Sequence, residues 1–131
     1  RLGPGRVAGA YAWRSLLQQG ARVVAGSDFP VEEVEPILGL YAFVTRQDRT
    51  GAPPGGFRPE ERLTLDEAIA AFTREAAFAA FEESWRGAPQ TGMAADLTVF
   101  DRPLTASAEL LRARVDLTVV GGKVRYRRGA R

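Results

Sequence analysis

The chain has 131 residues, a formal net charge of +2, 45% hydrophobic and 26% charged residues. This is the balance of one globular domain whose core buries roughly two-thirds of the chain's surface. The absence of cysteine and histidine excludes a disulfide framework, a thiolate metal site and the commonest neutral-pH base and metal ligand. No apolar run approaches the ~20 residues of a membrane span and no basic-then-apolar leader is visible, so the expectation is a cytoplasmic protein without a membrane partner. The chain opens at Arg1 without a methionine, as a piece of a longer protein would.

In chain order, Ala10 to Gln19 carries Tyr11, Trp13, Leu16 and Leu17 at helical spacings. Gly20 stands where a glycine would end that helix. Ala21 to Ala25 then reads as a strand, and the run Val23-Val24-Ala25-Gly26-Ser27-Asp28-Phe29-Pro30 delivers Asp28 to the strand-to-loop junction. In α/β barrels that rim carries the chemistry. Two readings of Asp28 stand side by side: a turn former bonded to nearby backbone N–H groups, or a functional carboxylate.

Glu32, Glu33 and Glu35 form a short acidic patch, open to a cation site or to solvated charges favouring the next helix start. Pro36 suits the first position of that helix, with Ile37, Leu40, Tyr41 and Val44 as its apolar face. Thr45 to Arg62 is a long loop rich in Gly and Pro, of the length associated with binding loops and lids. At its start Arg46, Asp48 and Arg49 are positioned either to meet a polar substrate group or to form a structural Arg–Asp pair.

Thr64-Leu65-Asp66-Glu67 is a capping box. Leu65, Ile69, Phe72 and Ala76 follow as a one-sided apolar face, and small and aromatic residues continue it to Phe81. From residue 92 the texture changes. Ala95 to Asp101 is strand-like, a short helical piece surrounds Leu110 and Leu111, and Asp116–Val120 with Lys123–Arg127 flank Gly121-Gly122 as a hairpin. Seven basic residues from Arg112 to Arg131 face one acid, Asp116. A solvated strand face explains them better than a nucleic acid partner, because the aromatic and glycine-rich motifs of such proteins are missing around them.

Six phrases in order resemble one family. They are Tyr11-Ala12-Trp13-Arg14-Ser15-Leu16-Leu17, Gly26-Ser27-Asp28-Phe29-Pro30-Val31, Thr45-Arg46-Gln47-Asp48 with Gly51, Leu63-Thr64-Leu65-Asp66-Glu67-Ala68, Gly92-Met93-Ala94-Ala95-Asp96-Leu97 and Val119-Val120-Gly121-Gly122-Lys123-Val124. Together they are similar to the C-terminal third of amidohydrolase family 3, in the branch close to N-substituted formamide deformylases. The resemblance implies an α/β fold: the C-terminal fragment of a (β/α)8 TIM barrel over residues 1–91, followed by strands of a small composite β-sandwich over 92–131.

It also implies hydrolysis of a non-peptide C–N bond in a small amide or formamide. The chemistry would need a divalent metal, zinc first, held in the full-length parent and not by this chain alone. Asp28 matches the strand-end aspartate that contacts the metal and accepts a proton from the attacking water. Phe29, Arg46 and Asp48 are its candidate substrate-loop residues. The family's histidines have no counterpart here, so a missing N-terminal barrel segment or another chain would have to supply them, and the chain alone is expected to be inactive. The phrase from Gly87 to Met93 also departs from the family, with Pro89 and Met93 where a leucine-like residue and a lysine are usual. The alternative is a non-catalytic module binding an acidic partner through its basic C-terminal hairpin.

Overall fold

The computed structural model describes residues 2–130; Arg1 and Arg131, the last of the basic tail, lie outside the described residues. Helix α1 (Pro4–Val7) is a single turn that the sequence does not announce. Helix α2 (Trp13–Gln18) is shorter than expected. Tyr11 has φ 52°, a left-handed conformation that a helix cannot include. Gly20 at φ 80° follows the helix, where only glycine is unstrained.

Helix α3 (Pro36–Thr45) has the expected limits, with proline in its first turn and Arg46 in the left-handed region as its C-cap. Leu40, Tyr41 and Val44 of the expected face are buried, and so is Phe43. Phe43 is buried because α3 is covered on two sides: the Trp13 ring lies 4.5 Å away, centroid to centroid, and the Phe72 ring 6.1 Å. Helix α4 (Leu65–Phe72) begins with the expected capping box. Thr64 Oγ1 accepts from the Glu67 amide at 3.2 Å, and Glu67 Oε2 accepts from the Thr64 amide at 2.7 Å.

The apolar pattern that runs to Phe81 is two helices. Thr73, at φ −124° and ψ −92°, interrupts it before α5 (Arg74–Ala79), and Phe81 ends 90% exposed. Gly39 lets α3 approach α4 closely: a Cβ there would lie 2.5 Å from Phe72 Cζ.

The expected strand at Ala21–Ala25 does not form. A strand exists by pairing, and among the described residues this segment has one main-chain link beyond the preceding helix, from the Ala25 amide to Ala71 O at 3.1 Å. The Ala21 amide also donates to Leu16 O at 3.0 Å, a bond that closes the preceding helix and pairs no strand. The segment keeps the alternation of a strand even so. Val23 and Ala25 pack on the helical core, whereas Val24 and Asp28 are exposed.

The strands that do form are β1 (Leu97–Phe100), β2 (Val115–Val120) and β3 (Lys123–Arg127), an antiparallel sheet in the order β1-β2-β3. The Gly121-Gly122 hairpin joins β2 to β3 with Val120 opposite Lys123 and Val119 opposite Val124. The turn is held from β1's side, where Asp96 Oδ1 accepts from the Gly121 amide at 2.7 Å. Between β1 and β2 a 3-10 turn, Ala108–Arg112, drives Leu110 into the core beside Leu40, Val44 and Ala71. The fold is therefore α/β, with a helical core and a three-stranded antiparallel sheet joined to it through the 3-10 turn. Leu110, 1% exposed, ties the sheet segment to the helices.

Candidate active-site segment

Asp28 stands in a turn after the unpaired segment, exposed, with φ 54°. Aspartate is among the few non-glycine residues that tolerate this conformation. The turn is closed by main chain alone: the Val31 amide donates to Asp28 O at 2.8 Å. Among the described residues the Asp28 carboxylate accepts no hydrogen bond and forms no ion pair. The reason lies two positions on. An Asp normally folds back onto the N–H of the second residue after it, and here that residue is Pro30, which has none. Asp28 therefore serves its turn through its backbone, and the side-chain bond that a turn-forming aspartate usually makes is absent among the described residues.

Phe29 follows, 65% exposed, with Val31 and Val34 also exposed. Its amide lies 3.4 Å from Ser27 Oγ. The acidic patch after it does not gather. Glu33 pairs with Arg49 in a two-point contact, one arm of which is 3.1 Å. Among the described residues no group of three or more carboxylates is placed to hold a cation.

Arg46 and Asp48 are placed differently from Asp28. Arg46 is 6% exposed. Its guanidinium carbon sits 4.3 Å from the Trp13 ring centroid, with Tyr11 and Phe57 also around it. Arg46 Nε donates to Phe57 O at 2.9 Å, and the Phe57 amide donates back to Arg46 O at 2.8 Å, which closes the 46–57 loop. Burial pushes the guanidinium below its ordinary pKa, and its Nη2 has no hydrogen-bond partner among the described residues. The aromatic faces offset part of that cost.

Asp48 Oδ1 accepts from Thr50 Oγ1 at 2.6 Å, from the Thr50 amide at 2.8 Å and from the Ala52 amide at 3.1 Å. These bonds, the Thr50 hydroxyl first, hold its carboxyl below the usual range. No Arg–Asp pair forms among Arg46, Asp48 and Arg49; Arg49 pairs with Glu33 instead.

Two polar arrangements that composition does not single out fasten this region. Arg14 meets both Glu67 carboxylate oxygens at 2.6 Å and donates to Arg62 O, and that pairing holds Glu67 down to about 2. Glu61, 3% exposed, accepts from the Ser15 amide at 2.9 Å and the Ser15 hydroxyl at 2.5 Å. It thus caps α2 from outside, where Ala12 offers no side-chain acceptor. A glutamate that follows Pro59 with a serine distant in sequence gives no local signal of this. Near the sheet a cleft of about 540 Å3 runs between α5 and β1, lined by Phe72, Ala76 and Leu97 among others, and Asp28 is not part of it.

Of the predicted site residues, then, Asp28 and Phe29 share an exposed turn, while Arg46 and Asp48 belong to the framework of the neighbouring loop. A sequence profile of the amidohydrolase family matches residues 1–126. The chain belongs to the amidohydrolase family. This amidohydrolase chain is 33% identical over 128 residues to putative amidohydrolase YtcJ of Bacillus subtilis (strain 168), covering 96% of the chain and 24% of that relative. It is 37% identical over 117 residues to the N-substituted formamide deformylase of Arthrobacter pascens, covering 88% of the chain and 21% of that relative. An amidohydrolase from Thermotoga maritima MSB8 shares the fold, with a TM-score of 0.59 at 20% identity, over 90% of this chain and 26% of that one. The chain spans about a quarter or less of the proteins it matches.

Proposed function

We propose that this amidohydrolase chain is the C-terminal part of a (β/α)8-barrel hydrolase that cleaves a non-peptide C–N bond in a small amide or formamide, and that Asp28 is its contribution to the active site. The observation that supports this most is the free carboxylate: exposed, at the end of an unpaired strand-like segment, with its own turn unable to use it. The relatives named as an amidohydrolase and as an N-substituted formamide deformylase support the reaction class.

On their own the described residues do not make a metal centre, since Asp28 is a single carboxylate with no partner ligand beside it. The remaining ligands would come from polypeptide beyond these residues. A divalent metal bound there, zinc being the first candidate, would supply Lewis acidity. What Asp28 itself does follows from its chemistry. A carboxylate at this position offsets positive charge, holds a proton at Oδ and passes it to a leaving amine. Removing that capacity defines the test. Asp28→Asn in a full-length protein carrying this segment should lose about 10²–10⁴-fold in turnover, with folding intact. Turnover that survives the change would exclude the role.

One observation favours a second reading. Lys123, Arg125 and Arg127 lie on the exposed strand β3 and form no ion pair among the described residues, whereas Arg128 is held by Asp116 and Asp101. An acidic partner bound there would dissociate steeply with salt, and binding indifferent to salt would dismiss it.

A further inference from the structure

The segment that carries Asp28 is fastened at few points. Between Ala25 and the start of α3, its hydrogen bonds are internal apart from the Leu38 amide to Glu35 O at the start of the helix, and among the described residues a single side-chain ion pair links it to the rest of the chain: Glu33 with Arg49. Arg49 stands on the opposite kind of structure. The 46–57 loop is closed by the reciprocal Arg46–Phe57 bonds and filled from inside. Gln47 Nε2 donates to Gly51 O at 2.6 Å and to Pro53 O at 3.1 Å, and Asp48 ties Thr50 and Ala52. Gly56 at φ 87° passes so close to Thr45 O that no side chain could stand there. A guanidinium carried on that frame meets a carboxylate with both of its end nitrogens, which fixes direction as well as distance.

We propose that Arg49 is a positioning residue: the preformed 46–57 loop uses it to hold Glu33, and through Glu33 it sets where Asp28 points. The inference rests on the proposed function only in taking Asp28 as the residue whose placement matters. Both partners are about half exposed, so the pair biases the loop and adds little to overall stability. The long loop after α3 then acts as an ordered template.

The Val31 amide, which donates to Asp28 O, reports that placement without any assay of hydrolysis. In the full chain, Glu33→Arg or Arg49→Glu should speed hydrogen exchange at Val31 by about two- to fivefold, leaving the amides of α3 and α4 unchanged. Arg49→Lys, which keeps the charge without the second donor, should fall between. The double reversal Glu33→Arg with Arg49→Glu should restore the slow rate, and raising the salt to about 1 M should erase the difference between the native chain and the single variants. Unchanged exchange at Val31 in both single variants, failure of the double reversal to restore it, or acceleration spread over α3 and α4 would each overturn the assignment. None of these outcomes depends on whether a longer protein hydrolyses an amide.

Discussion

Asp28 and Asp48 look alike in the sequence, each an aspartate just beyond an apolar element, yet their surroundings are opposite. At Asp48 the second residue on is Thr50, whose amide and hydroxyl both turn back to the carboxylate. At Asp28 the second residue on is Pro30, which has no N–H to give. One carboxylate is consumed in shaping its own loop; the other accepts no hydrogen bond among the described residues. A loop aspartate is therefore better judged by the donors its own turn can offer than by the loop it occupies.

The largest effect that would break this contrast is on turnover. Asp28→Asn should abolish most of the activity of a full-length protein while leaving Tm where it was, whereas Asp48→Asn should lower Tm and alter turnover only as far as the loop loosens. Parallel losses in the two variants would erase the distinction, and steady-state kinetics beside thermal melts decide it. Next in size is the frame that holds Asp48. Arg46→Ala removes the Nε bond to Phe57 O and the stack on Trp13, at an expected cost of about 1–2 kcal/mol in denaturant titration. Arg46→Lys should recover less than half of that, because an ammonium cannot both stack flat and reach the carbonyl.

Acid sharpens the same contrast. Glu67 falls from 4.5 to about 2 on folding, and Asp48 is also depressed. A carboxyl depressed in the folded state lends stability that is complete above its unfolded pKa and is lost as pH falls through the folded one. Melts should therefore show Tm falling between about pH 4.5 and 2. Glu67→Gln should flatten part of that fall and Asp48→Asn a smaller part, the rest belonging to Glu61 and Asp101, which are depressed as well. Smallest of all, Arg125→Gln with Arg127→Gln on the exposed face of β3 should change neither Tm nor turnover measurably, since neither side chain has an ionic partner among the described residues.

Much of the architecture was legible where the determining contacts are local. Pro36 and the apolar spacing after it set α3, Thr64 and Glu67 set the start of α4, and Gly121-Gly122 sets the hairpin. What was not legible depends on distant partners. The Ala21–Ala25 segment has the alternation of a strand, but pairing needs a neighbour that no described residue provides. Leu110 reads as a local helical residue, and only the tertiary structure places it against α3.

In the site, Asp28 was singled out by its match to the family's strand-end aspartate, since the local residues alone left a turn former and a functional carboxylate both open. Arg46 was left open between a substrate contact and a structural pair with Asp48, because nothing in its neighbours along the chain reveals the Trp13 face it lies on, more than thirty positions earlier. The signal that would have separated Asp28 from Asp48 was present all along, in Pro30 and Thr50.

The account rests on Asp28 reaching a metal, and a crystal structure of the metal-loaded full-length protein tests that most directly. It should show an anomalous-scattering peak about 2.0–2.2 Å from an Asp28 carboxylate oxygen. A peak held entirely by other residues, with Asp28 turned to solvent, would contradict it.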